Sequence, residues 1–155
     1  MIHGTHNAEA DARNENVWIS INGEFFQRSE AKISVFDSGY LVGDGVWEGI
    51  RLHHGTLVFV DEHLKRLWTA AKATGIKLPF TIDELMASIH RTLSKNEMHD
   101  GVHVRIMVTR GIKKTPSQDP RLTISGPNVV IIAEYKKASN ETKSKGVKLF
   151  TSSFR

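Results

Sequence analysis

Cysteine is absent from the 155 residues of this chain, which removes disulfide staples, thiolate nucleophiles and cysteine-ligated zinc from its chemistry. The absence is compatible with a reducing compartment, and a cytoplasmic location is expected. Long apolar runs are missing too. The longest is Val129 to Ala133, far short of the roughly 20 residues that a membrane-spanning helix needs, so no membrane association is expected. The first sixteen residues, with His3, His6, Glu9, Asp11 and Glu15, lack the basic start and apolar middle of a secretory leader; residues 1–16 read as a flexible tail. Aromatic residues are scarce where the charge is concentrated. The net charge of +4 owes much to Lys136, Lys137, Lys143, Lys145 and Lys148, with no aromatic among them before Phe150. Without stacking platforms, that stretch reads as a solvated connector and no nucleic-acid partner is expected.

What is present is a chain long enough for one ordinary domain with its own core. Val17 to Ile21 and Glu24 to Gln27 flank Asn22 and Gly23, a pair that accepts positive φ at both positions of a two-residue hairpin. Lys32 to Phe36 reads as another short strand. Val46, Glu48, Ile50 and Leu52 then alternate with Trp47, Gly49, Arg51 and His53, which predicts a strand with one mainly apolar face. His54 and Gly55 turn the chain into a strand over Leu57 to Val60.

Asp61 is the expected N-cap of a helix whose apolar stripe is Leu64, Leu67, Trp68 and Ala71 and whose terminator is Gly75. Thr81 and Glu84 form a capping box for a second helix with the stripe Ile82, Leu85, Met86, Ile89 and Leu93, and Phe80 is placed to staple onto Leu85. Val102 to Thr109 and Val129 to Tyr135 read as strands separated by a turn-rich loop, Pro116 to Pro127. Strands, two consecutive helices and more strands, without regular β-helix-β alternation, predict an α+β domain over residues 17–135. Residues 136–146 read as a linker and 147–155 as the first strand of a second, largely missing domain.

Gly39, Gly43 and Gly45 fit neither the dinucleotide fingerprint nor the phosphate loop, and taken alone they are turn residues that permit positive φ. Trp47 alone is a strand aromatic, placed on the polar side of its strand with Arg51. Arg66 lies off the apolar stripe of its helix, as an exposed arginine would. Arg105 alternates with Val104 and Ile106, on the face that His103 shares. His99 and His103 are four apart, but Asp100 and Gly101 between them indicate a turn, so no metal is expected.

Three segments together, FDSGYLVGDGVWEGIR, EHLKRL and VHVRIMVTRG, resemble the signature of the class IV, fold-type IV aminotransferases, and the resemblance covers most of the chain. It implies the small α+β N-terminal domain of those enzymes, with an antiparallel-rich sheet and two helices. It also implies pyridoxal 5'-phosphate as cofactor, an amino acid and a 2-oxo acid as substrates, and a homodimer. By the same resemblance Arg66 grips the cofactor phosphate, a task suited to a planar, permanently charged donor fork, with His63 beside it. Val42, Trp47, Gly49, His103 and Arg105 occupy substrate-binding positions.

The branched-chain members carry an arginine matching Arg105 and, two residues earlier, a tyrosine that His103 replaces here. The D-amino-acid members place an Arg-x-His trap after TRG, where this chain has Ile112, Lys113, Lys114 and Thr115. That departure favours the branched-chain L-type, whereas GDG in place of the branched-chain GTS leans towards the D-type. The family's covalent lysine and pyridine-contacting glutamate match nothing here, so no catalytic residue is assigned and the chain alone is expected to be inactive. An aminodeoxychorismate lyase is the alternative within the family. From another class, a non-catalytic binding or assembly domain would use the basic tail and exposed strand to meet a partner.

Overall fold

The structure is a computed structural model that describes residues 10–136 and 140–153. Of the expected tail, residues 1–9 lie outside the described residues, as do Lys137, Phe154 and Arg155. All strand pairings are antiparallel, in one six-stranded sheet of order β2-β1-β6-β5-β3-β4. The strands are β1 (Trp18–Ile21), β2 (Glu24–Gln27), β3 (Gly45–His53), β4 (Thr56–Leu57), β5 (Val102–Thr109) and β6 (Asn128–Tyr135). The helices are α1 (Ser38–Val42), α2 (Val60–Thr74), α3 (Ile82–Lys95) and α4 (Asn140–Lys145). This is the antiparallel α+β architecture that the sequence implied. Among the described residues no helix is long and apolar enough to cross a membrane.

The core lies between one face of the sheet and the two long helices. Strict alternation in β5 sends Val102, Val104, Ile106 and Val108 inward, where they meet Ile50 and Leu52 of β3, Ile131 and Ala133 of β6, Leu64, Leu67 and Ala71 of α2, and Leu85, Ile89 and Leu93 of α3. Each large aliphatic side chain buried in this way contributes about 1.5–3 kcal/mol. The Thr81–Glu84 capping box forms as expected. Phe80 packs edge-on against Trp68, ring centroids 5.6 Å apart. Gly75, at φ 68°, ends α2. Asn22 and Gly23, at φ 53° and 89°, turn the first hairpin.

Several local expectations are corrected. Residues 32–36 form no strand; Asp37 instead caps α1 through its side chain, so the glycine-rich segment contains a helical turn. β4 stops at Leu57, and α2 begins at Val60 with Phe59, at φ 52°, as N-cap. Asp61 is thus inside the first turn, where its charge suits the positive helix end, and makes no cap. Part of the expected tail is tied down: Asp11 caps a 3₁₀ turn over Ala12–Asn14, and Asn14 exchanges hydrogen bonds with the Tyr135 backbone. The expected linker holds the short helix α4. Among the described residues, 147–153 pair with no strand, and Leu149 and Phe150 stand exposed.

Candidate functional site

Glu48 is the anomaly of the core side. It alternates with Val46 and Ile50 on the buried face of β3, and its side chain is only 5% exposed. A buried carboxylate requires compensation, and α2 provides it. Arg66 donates from Nε to Oε1 at 2.6 Å and from Nη2 to Oε2 at 2.7 Å, while His63 Nδ1 lies 2.7 Å from Oε2. Because an ionised carboxylate only accepts, His63 carries its proton on Nδ1. Burial pushes the Glu48 carboxyl up, but the bonds from Arg66 and His63 outweigh burial and hold it below the ordinary glutamate range. Glu48 in turn pushes the Arg66 guanidinium up. The rest of Arg66 faces solvent, its side chain 68% exposed. Among the described residues Nη1 has no acceptor, so a planar cation is fixed on one side and open on the other.

The opposite face of the sheet carries the second group. Full antiparallel pairing of β3 with β5 sets Gly49 across from Arg105, Arg51 across from His103 and Trp47 across from Met107. The Arg105 guanidinium lies 4.0 Å over the Trp47 ring, a cation–π stack. A methyl group on Gly49 would come within 2.7 Å of His103 Nε2, so glycine here makes room for the imidazole. Arg51 donates to the Lys136 carbonyl. Four of the expected substrate residues, Trp47, Gly49, His103 and Arg105, are thus neighbours. Val42 sits exposed at the end of α1, apart in sequence from the β3–β5 pairs. Arg66 belongs to the other face. The two groups flank β3, whose residues from Gly45 to Ile50 have no second strand partner among the described residues, since β4 pairs only Leu52 with Leu57 and His53 with Thr56.

The glycine-rich turn is a scaffold for both groups. Of its three glycines only Gly43 needs positive φ, at 70°; an added Cβ on Gly39 or Gly45 would collide with Thr109 or with the Val108 carbonyl, which corrects the expectation that all three serve φ. Asp37, fully buried, accepts from the Gly39 backbone, Thr109 Oγ1 and Asn128 Nδ2. Asp44 pairs with Arg110 at 2.6 and 3.0 Å, and Arg110 also donates to the carbonyls of Thr74 and Gly75 at the end of α2. Lys113 is almost wholly buried, its Nζ donating to the Asp119 carbonyl at 2.8 Å. Glu48, Arg110 and Lys113 were not singled out from sequence. For Glu48 a signal existed: a carboxylate in a core register demands a cation, and Arg66 and His63 are spaced to share one helix face.

The profile of the family described as amino-transferase class IV matches residues 45–155. A branched-chain-amino-acid aminotransferase-like protein of Arabidopsis thaliana is 36% identical over 87% of this chain and 24% of its own length. A D-alanine aminotransferase of Staphylococcus aureus is also 36% identical, over 67% of this chain and 39% of its own length. Among solved structures, the T.th. branched-chain amino acid aminotransferase complexed with N-(5'-phosphopyridoxyl)-L-glutamate superposes with a TM-score of 0.68 at 27% identity, over 76% of this chain and 40% of that one. The chain therefore spans between a quarter and two fifths of the length of these similar proteins.

Proposed function

Because this chain belongs to the class IV amino-transferase family, we propose that it supplies the phosphate grip and the substrate wall of a pyridoxal 5'-phosphate enzyme that moves an amino group between an amino acid and a 2-oxo acid. Arg66 carries this reading. A guanidinium braced by a buried carboxylate, with Nη1 left open, fits the anionic end of such a cofactor, and a similar solved structure is complexed with a phosphopyridoxyl compound. Bound there, the cofactor would supply the electron sink for chemistry at the amino-acid α-carbon.

The chain's own residues bind and orient. Glu48 fixes the plane of the Arg66 fork, and His63 donates its Nδ1 proton to the same carboxylate. On the outer face Arg105, stacked on Trp47, is the cation for a substrate carboxylate, with Gly49, His103 and Val42 shaping the space around it. The two groups work together across the unpaired stretch of β3. On this reading none of the twelve lysines takes the family's covalent role, no transamination is expected from these 155 residues by themselves, and the active form is a homodimer, as the family resemblance implies.

The branched-chain L-type substrate is favoured, because the segment after TRG offers no carboxylate trap: its Lys113 is buried in a loop contact. The resemblance to a D-alanine aminotransferase, together with the GDG turn, supports D-amino acids as the second reading. The test is a tryptophan-fluorescence titration of the chain with pyridoxal 5'-phosphate and with pyridoxal. The phosphate ester should bind more tightly, and Arg66→Ala should erase the difference. Equal affinity for the two compounds in the unaltered chain, or a borohydride-reducible adduct on one defined lysine, would refute the proposal. An amino-donor screen of the longest polypeptide the gene encodes, L-leucine against D-alanine, separates the two substrate readings.

A further inference from the structure

At the tip of the β3–β4 hairpin, two residues beyond Arg51, three metal-ligating side chains converge. In a regular strand His53 and His54 would point to opposite faces. His54, however, adopts φ 46° and Gly55 φ 77°, so the chain reverses within two residues and the imidazoles come together, ring centroids 4.1 Å apart. The tip docks on the turn between α3 and β5. The His54 backbone N–H donates to Asp100 Oδ1 at 2.6 Å, and Gly55 N–H donates to the His99 carbonyl at 3.0 Å.

That docking aims the Asp100 carboxylate between the rings. Its Oδ1 lies 3.6 Å from His53 Nδ1 and its Oδ2 3.6 Å from His54 Nδ1. These separations are too long for hydrogen bonds. They are close to the roughly 3.4 Å that separates two donors each held about 2.0–2.2 Å from one tetrahedral ion. All three donor atoms lie within 4.8 Å of one another, the one such cluster of three or more among the described residues.

We propose that His53, His54 and Asp100 form a surface site for a divalent late first-row transition cation, with two imidazoles and one carboxylate as protein ligands and solvent in the remaining positions. Imidazole donors select zinc, nickel or copper over calcium and magnesium. A bound ion would cross-link the hairpin tip to a turn 46 residues away and stabilise the folded chain by linkage. From sequence only the His99 and His103 spacing bore on metal, and no metal was expected; the convergence of His53, His54 and Asp100 depends on a hairpin reversal that sequence intervals do not show.

Zinc chloride titrated into the chain by calorimetry tests the site. One zinc per chain is expected, accompanied by a rise in Tm. His53→Ala and Asp100→Asn should each weaken binding by at least about 10-fold, the lower end of what losing even a supporting partner costs, and should remove the Tm rise. Asp100→Asn keeps an acceptor for the His54 N–H, and far-UV circular dichroism verifies that both variants fold. A His3→Ala, His6→Ala double variant should bind undiminished. Absence of saturable binding, undiminished binding in the His53 and Asp100 variants, or loss confined to the His3, His6 double variant would each overturn the proposal.

Discussion

On the core side of β3, Glu48 is a buried carboxylate held by three polar contacts to Arg66 and His63 on α2, whereas on the outer side Trp47 and Arg105 hold each other in a stack open to solvent. Adjacent residues of one strand thus meet opposite electrostatic conditions. Inside, geometry is enforced, because a carboxylate that leaves its cation there is left desolvated and unpaired. Outside, either partner can swing into water at little cost, since an exposed cation–π pair contributes only about 0.5–1 kcal/mol. The contrast matches the proposed division of labour: an unchanging anion grip on one face and an adaptable substrate wall on the other.

The sharpest way to break that comparison is a pair of truncations on neighbouring faces. Ile50→Ala, in the packed core, is expected to lower stability by about 2–5 kcal/mol in urea denaturation, and Trp47→Ala, at 61% exposure, by no more than about 1 kcal/mol. Similar losses at the two positions would show that the outer face is buried in solution.

Next in size is Glu48→Gln, which keeps the shape but removes the charge. A loss of about 1–3 kcal/mol is expected, together with weaker discrimination between pyridoxal 5'-phosphate and pyridoxal, because the Arg66 fork is no longer fixed. Full stability with unchanged phosphate preference would mean that Arg66 needs no brace.

The smallest effect is the pH dependence. The folded-state pKa of Glu48 is lowered from its ordinary value of 4.5, so its contribution is complete above that value and disappears as pH falls through the lower folded value. The stability gap between the unaltered chain and Glu48→Gln should close in that acid window. A gap that persists at low pH would assign the effect to shape rather than charge.

What could be read from sequence was whatever local rules dictate. β5 appears over Val102–Thr109 as its alternation required, and α3 starts at its capping box. Local rules failed where distant partners decide. Residues 32–36 have strand-like composition, but the pairing there is limited to the Lys113 N–H on the Phe36 carbonyl and one isolated bridge from Asp37 to Ile112, and Phe59 takes the cap that Asp61 was expected to hold. The site divides likewise. Trp47, Gly49, His103 and Arg105 were named together by the family resemblance; alternation alone put Trp47 with Gly49 and His103 with Arg105, and the β3–β5 register, which the sequence does not show, brings the two pairs together. That Glu48 needs a cation was signalled by its core register, but that Arg66 is the one facing it was not, since that depends on how α2 lies across the sheet. Arg110, which ties Asp44 to the end of α2, was hidden for the same reason.

The position of β1 between β2 and β6 has a consequence for biogenesis. Asn22 and Val129 exchange hydrogen bonds across 107 residues, so the β1–β2 hairpin cannot take its place in the sheet until β6 has been synthesised, although Asn96 at the end of α3 already offers Trp18 two hydrogen bonds. Bringing such remote segments together carries a large loop-closure penalty and slows acquisition of the native state. Until then the nascent hairpin is an unprotected sheet fragment, and the segment from β3 to β5, whose contacts are nearer in sequence, is the part able to organise first.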